Sequence, residues 1–493
     1  MTRDSQPVAV FHCLAAPAVG AGHVVRCLTL ADALRARGWR VGFAVDAESR
    51  RTAPTLDAAG VDVRAATTPA EILAAWPGGA DLAVVDRYGC DADFERALRP
   101  WARRLLAIDD LANRSHDVDM LLDSAGSETA YGPLIPAACE RLLGPDYALL
   151  RPEFRRLREG GPARAVRARA SRLLISLGGS DPHNATGALL DWLDRCASPL
   201  EITAVVGAAA PHREALAARA RTMRHPTTVR RQISDMGAAL AEADLVVGAG
   251  GNSAWERCCL ATPTLLAVIA ENQRTVAERL VAAGAAREVL HDPAGEPCMS
   301  LEAFEALLGD AAARGAMAAA AAALCDGLGA DRVALAVERL CGRLSTRCRL
   351  RPAAQADRDV LLAWQRHPET RRHFRNPEPP DAAEHAAWFA AKARDPRCLM
   401  HMVEDADGAA GLVRLDLDGA GGAEVSILIA PDRRGRGVGA EALALIAALR
   451  PDLRLTAEVL PGNTASHRLF RKAGYRARSE GSYVRAPAGA PPA

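Results

Sequence analysis

Lysine is almost missing from this chain. Of 61 basic residues only Lys392 and Lys472 are lysines; the rest are arginines. Alongside abundant alanine this is the mark of GC-rich coding, and it removes arginine alone as a sign of an anion site. An excess of charge is missing too. Lys+Arg is 61 against Asp+Glu 60, which excludes a general nucleic-acid binder, a class that carries a basic surplus. Apolar residues at 49% and charged residues at 25% exclude a disordered or collagen-like chain. No run of about 20 apolar residues occurs, so no membrane span is expected. The twelve cysteines form no Cys-x-x-Cys pair; the closest, Cys258 and Cys259, are adjacent, so no zinc or disulfide framework is legible. A polar start followed by the short apolar run 8–14 does not make a signal peptide. The expectation is a reduced, cytoplasmic protein without a metal.

What is present is alternation. A length of 493 residues predicts about three domains. Over 1–160, short apolar runs at 8–14, 40–45, 82–86 and 105–109 are separated by helical stretches such as 24–37. Over 161–342 the cycle repeats, with runs at 172–177, 202–207, 245–248 and 264–269 and helices at 185–193 and 310–324. Both read as parallel, doubly wound halves. Composition shifts at 341–350. Residues 348–482 then read as an α+β domain with strands at 400–404, 411–417, 424–429 and 453–460, and 483–493 as a disordered tail.

Three glycine-bearing loops follow strands. Gly20, Gly22 and His23 precede the first helix; Gly178, Gly179, Ser180 and Asp181 follow the strand 172–177; Gly248, Gly250, Gly251 and Asn252 lead to Glu256. Glycine there permits tight turning and close backbone approach to a ligand, and α/β ligands bind beyond the carboxyl ends of strands. By itself His23 also reads as a helix cap, and Glu256 as an acid satisfying a helix dipole.

As an ordered set, the blocks 20–34, 86–88, 108–111, 144–154, 176–182, 248–256 and 271–273 resemble the UDP-sugar hydrolase family of pseudaminic acid biosynthesis, over roughly residues 8–335. The resemblance implies a glycosyltransferase-B fold of two Rossmann-like halves. It also implies metal-free release of UDP from UDP-2,4-diacetamido-2,4,6-trideoxy-β-L-altropyranose. It makes His23 the base that activates water and Tyr88 a residue that positions sugar or water. Gly22, Arg26, Gly178, Gly179, Ser180, Asp181, Gly250, Gly251, Asn252, Glu256, Asn272 and Gln273 become substrate-binding residues, with Glu256 on the ribose.

In the third domain, Arg434, Gly435, Arg436, Gly437 and Gly439 follow a strand and open a helix. With the later block 463–475 they resemble the GCN5-related N-acetyltransferases, over about residues 348–480. The resemblance implies acetyl-CoA as cosubstrate, its diphosphate on 434–439, and Asn463 as a further contact. Many members carry a tyrosine acid where this chain has Phe470, which cannot donate a proton; Tyr475 and water are the alternatives. Glu424 and Glu458 are candidate bases.

Two domains of these kinds in one chain suggest consecutive steps: acetylation of an amino UDP-sugar, then loss of UDP. Two alternatives stand beside this reading. One is a UDP-sugar glycosyltransferase fused to an acetyltransferase. The other is a hydrolase with a non-catalytic acetyl-CoA-binding module.

Overall fold

The computed structural model describes all residues except 1–5, 17–19, 162–163, 179–180, 208–209, 232, 234, 293–295, 375 and 489–493. The chain divides into two compact units, Met1–Arg158 with Arg164–Cys341, and Glu159–Ala163 with Gly342–Ala493.

The first unit holds two parallel sheets. Strands β1 (Val8–Cys13), β2 (Arg40–Val45), β3 (Asp62–Ala65), β4 (Leu82–Asp86), β5 (Leu105–Ile108), β6 (Met120–Asp123) and β7 (Glu140–Leu143) lie in the order β3-β2-β1-β4-β5-β6-β7. The second sheet has β8 (Arg172–Ser176), β9 (Glu201–Val206), β10 (Thr227–Arg231), β11 (Leu245–Ala249), β12 (Thr264–Ala267) and β13 (Ala286–Leu290) in the order β10-β9-β8-β11-β12-β13. The central strands are continuous apolar runs buried along their length, as strands covered by helices on both faces must be. Phe11 on β1 stacks on Phe43 of β2 at 5.0 Å between ring centres. Two such doubly wound halves form the glycosyltransferase-B arrangement expected from the sequence.

The helix Gly329–Leu340 belongs by sequence to the second half. Its apolar stripe nevertheless buries Val333, Ala334 and Val337 in the core of the first, against the face that carries Leu30 and Leu34.

The second unit is built on β14 (Arg349–Pro352), β15 (Cys398–Asp405), β16 (Gly408–Leu417), β17 (Gly422–Ile429), β18 (Arg454–Glu458), β19 (Arg476–Ser479) and β20 (Ser482–Arg485), ordered β14-β15-β16-β17-β18-β20-β19. Neighbours are antiparallel except β17 and β18, which run parallel. These two pair only through 422–424 and 454–456, and their remaining lengths part from one another. Leu361, Phe389, Met400, Met402 and Leu412 form a core on one side of the sheet.

β20 corrects the expected tail at 483–493. Tyr483 is buried, stacks on Phe470 at 5.9 Å and contacts His467 Nδ1 through its hydroxyl at 2.8 Å. That anchoring gives a four-residue strand too short to show a period in sequence.

Candidate functional site

Strand order in the first sheet reverses between β1 and β4, and ligands of such sheets collect beyond the strand ends at that point. The helix Gly22–Arg35 starts there. His23 and Arg26 are three residues apart and so share one of its faces. Asp86 ends β4 opposite Cys13 of β1, which brings it under that face.

Asp86 is fully buried. Its Oδ1 lies 2.6 Å from His23 Nδ1 and accepts from Arg26 Nη2 at 2.6 Å. Its Oδ2 accepts from Arg26 Nε at 2.7 Å and from the Cys27 thiol at 3.3 Å. Burial opposes the charge of Asp86, but the Arg26 guanidinium and His23 hold its carboxyl well below the usual carboxylate range. With Nδ1–H donated to Asp86, the His23 lone pair is on Nε2.

The contacts continue outward. Arg26 Nη1 donates to Asp110 Oδ2 at 3.0 Å, and the Tyr88 hydroxyl donates to Asp110 Oδ1 at 3.0 Å. Asn272 Nδ2, from the second half, donates to the Tyr88 oxygen at 3.0 Å. The rings of His23 and Tyr88 meet edge to face at 4.7 Å. Burial and the Asp110 charge push the Tyr88 phenol well above its ordinary range, so it stays protonated and donating. His23, Arg26, Tyr88 and Asn272 thus meet in one hydrogen-bonded group that joins both halves.

The other expected residues of this unit divide. Gly250 is held close to the Asn272 segment: a Cβ there would stand 2.7 Å from the Gln273 carbonyl oxygen. Gln273 itself braces the loop, its Oε1 accepting from the Ile269 amide at 3.0 Å. Asn252 Nδ2 approaches the Leu149 carbonyl at 3.4 Å. Gly22, Gly178 and Gly251 present open space where a side chain would begin. Burial raises the Glu256 carboxyl to about 7, against the pull of Arg151 and Arg257. Asp181 is spent internally. It is buried, and its two oxygens accept from the Ala185 and Thr186 amides at 2.8 and 2.9 Å, which makes it the brace of the helix Ala185–Leu193. Gly179 and Ser180 lie outside the described residues. Sequence reading left Asp86 and Asp110 without roles, although both stand in the blocks that carried the resemblance.

The second unit has a cleft of about 670 Å³ at the end of β17, lined by Ile427, Ile429, Gly437, Gly439, Asn463 and Leu469 among others. Gly437 precedes the helix Val438–Leu449 at φ +87°, a left-handed conformation that suits glycine. Asn463 Oδ1 caps the next helix through the Ser466 amide at 3.0 Å, leaving its amide nitrogen free to donate. Arg434 reaches the Thr370 hydroxyl and, at 3.3 Å, Glu369 Oε2. Arg436 contributes its carbonyl to Arg347 at 2.9 Å. Gly435 also lines the cleft. Glu424 and Glu458 are not brought to it. Both are exposed, and the pairing of Glu424 with Thr456 puts Glu458, two residues on, on the same face of the sheet. Phe470 is buried against Tyr475 at 5.1 Å, and the Tyr475 hydroxyl is buried with no hydrogen-bond partner among the described residues.

Among the described residues no three His, Cys, Asp or Glu side chains are grouped to hold a metal ion. No helix there is long and apolar enough to cross a membrane.

Residues 347–476 match the acetyltransferase (GNAT) domain family. Over 149 residues the chain is 32% identical to the spore coat polysaccharide biosynthesis protein SpsG of Bacillus subtilis, covering 30% of this chain and 42% of that one. Over 263 residues it is 24% identical to the uncharacterized protein MJ1062 of Methanocaldococcus jannaschii, covering 52% and 54%. The chain spans about half the length of these curated relatives. Among solved structures it is similar to MurG of Acinetobacter baumannii, at 17% identity and a TM-score of 0.48, over 68% of this chain and all of that one. A GNAT acetyltransferase domain is therefore joined, in one chain, to two Rossmann-like halves.

Proposed function

We propose that the chain is a bifunctional nucleotide-sugar enzyme of pseudaminic or related nonulosonic acid biosynthesis. The first unit hydrolyses UDP-2,4-diacetamido-2,4,6-trideoxy-β-L-altropyranose, and the second N-acetylates an amino UDP-sugar with acetyl-CoA. The observation that carries the hydrolase reading is the buried His23–Asp86 contact of 2.6 Å at the reversal of strand order. The relative named for spore coat polysaccharide biosynthesis supports a sugar pathway.

In this reading His23 Nε2 takes a proton from water as the water oxygen bonds to the anomeric carbon. The bond from that carbon to the UDP oxygen breaks, and UDP leaves with the electron pair. UDP is a good leaving group, so the base matters most; such a base contributes on the order of 10²–10⁴-fold. Asp86 fixes the tautomer of His23 and stabilises the imidazolium that forms. Arg26 and Asp110 hold Asp86 and Tyr88 in place. Tyr88 and Asn272 orient the water or sugar, and Glu256 receives the ribose hydroxyls.

In the second unit, acetyl-CoA enters the cleft with its diphosphate on the amides of 434–439 and its pantetheine along the parted edge of β17. The acceptor amine bonds to the thioester carbon, the carbon–sulfur bond breaks with its electron pair going to sulfur, and the proton lost from the nitrogen ends on the departing thiolate, through water. Phe470, the buried Tyr475 hydroxyl and the exposed Glu424 and Glu458, which do not line the cleft, favour one second reading, that this unit binds acetyl-CoA without turnover.

The test is incubation of the full chain with the diacetamido substrate and, separately, with a 4-amino UDP-sugar with and without acetyl-CoA, followed by NMR. UDP release lowered on the order of 10²–10⁴-fold by His23→Ala, with acetyl transfer intact, is the expected result. No UDP from the diacetamido substrate unless an acceptor sugar is added would refute the hydrolase. Acetyl-CoA binding without an acetylated product would favour the binding-module reading.

A further inference from the structure

The loop 248–253 has a buried cation behind it. Arg257 is 2% exposed. Its guanidinium lies against Gly248, where a Cβ would stand 2.5 Å from the guanidinium carbon. Nη2 donates to the Ala249 carbonyl at 2.6 Å and Nη1 to Ser253 Oγ at 3.3 Å. Nε is buried, with no hydrogen-bond partner among the described residues. Among the described residues no carboxylate forms an ion pair with it.

Other buried arginines of this unit are treated differently. Arg26 has Asp86 and Asp110, and Arg332 has Asp326. Arg314 lacks a carboxylate contact but gives its protons to four backbone carbonyls. Arg257 has two acceptors for five N–H groups, and among the described residues Glu256 answers its charge only from beyond ion-pair distance, at a site where burial pulls its guanidinium down to about 10. A buried charge is costly unless something answers it. Beyond the loop, at Gly251, there is open space for a ligand.

We propose that Arg257 is a positioning residue whose charge, acting through the loop 248–253, is answered by the diphosphate of a bound nucleotide. The inference rests on the reading of this half as a nucleotide-diphosphate site. It assigns discrimination of charged from uncharged ligand to a residue that touches neither base nor sugar. A side chain that only braced the loop would need its hydrogen bonds but not its charge.

Calorimetric titration of the full chain with UDP and with uridine separates these roles. Arg257→Gln keeps donors for the Ala249 carbonyl and removes the charge. UDP affinity should fall about tenfold, the scale of a partly screened charge interaction, while uridine affinity stays within about twofold. Arg257→Lys keeps the charge and should preserve the UDP-to-uridine affinity ratio. Parallel loss for both ligands in the glutamine variant, or no loss for either, overturns the proposal. So does a lysine variant with the ratio of the glutamine variant. If Arg257→Gln does not fold, the lysine variant decides: a ratio below half of wild type refutes the charge role. Failure of the unsubstituted protein to bind UDP is a different outcome. It removes the nucleotide-site reading itself, and the inference with it, before any substitution is compared.

Discussion

Replacing Asp86 by asparagine removes a fully buried negative charge that meets His23 and Arg26 at 2.6 Å each. For charge centres about 4 Å apart and an effective dielectric near 20, the attraction between Asp86 and a fully formed imidazolium is about 4 kcal/mol. In the transition state the proton is partly transferred, so about half of that, about 2 kcal/mol, bears on the rate. Asp86→Asn should therefore lower kcat for UDP release about 30-fold. Arg26 keeps Asp110 at 3.0 Å, so the loss of stability should stay near 2 kcal/mol, below the 3–5 kcal/mol typical of a buried pair broken outright. The assay is UDP release by NMR in wild type, Asp86→Asn, His23→Ala and the double variant, with thermal melts beside it. If Asp86 works through His23, adding Asp86→Asn to His23→Ala costs nothing further in rate. A further tenfold loss in the double variant refutes the reasoning, because Asp86 would then act on the reaction independently.

Three more outcomes follow from the same contacts. Tyr88→Phe removes the hydroxyl that joins Asp110 to Asn272; it should cost about tenfold in kcat, and the Tyr88→Phe, Asn272→Ala pair should be less than additive in a double-mutant cycle. Gly437→Ala forces a side chain onto φ +87°, a strain of about 1–2 kcal/mol; acetyl-CoA affinity by titration should fall while UDP release is unchanged. The Tyr131 hydroxyl lies 2.8 Å from Asp109 and 2.9 Å from Asp123, yet has one proton to donate. Burial raises Asp123 from 3.8 to about 6, so its contribution to stability is full below about pH 4 and is lost as pH rises through about 6. Asp123→Asn, which donates to the Tyr131 oxygen, should raise Tm at pH 8 by more than at pH 4.5, with a difference on the order of 2 kcal/mol; equal shifts at the two pH values would contradict this.

The alternation of short apolar runs with helices carried the doubly wound halves, because strands buried on both faces need no subtle pattern to be recognised. His23 and Tyr88 could be singled out by the blocks they stand in. The partner of His23 could not. Asp86 is 63 residues away, and only the adjacency of β1 and β4 brings them together. Asp181 looked like a ligand because it follows a glycine pair, but a carboxylate just ahead of a helix can cap it instead, and this one does. Glu424 and Glu458 were candidates by residue type; pleat and register turn them to solvent. Arg257 was hidden by the chain's own arginine bias, since nothing in its letter distinguishes it from dozens of surface arginines. Burial is what sets it apart.

The helix Gly329–Leu340 has a consequence for motion. Because the chain enters the second half once and returns to the first at this helix, two crossings tie the halves together. Two tethers define a line, and the freedom they leave is rotation about that line, like a door on two hinges rather than a weight on a string. Were the halves to part, Asn272 would leave Tyr88 along that single arc and return along it, so the hydrogen bond between them would re-form in the same register.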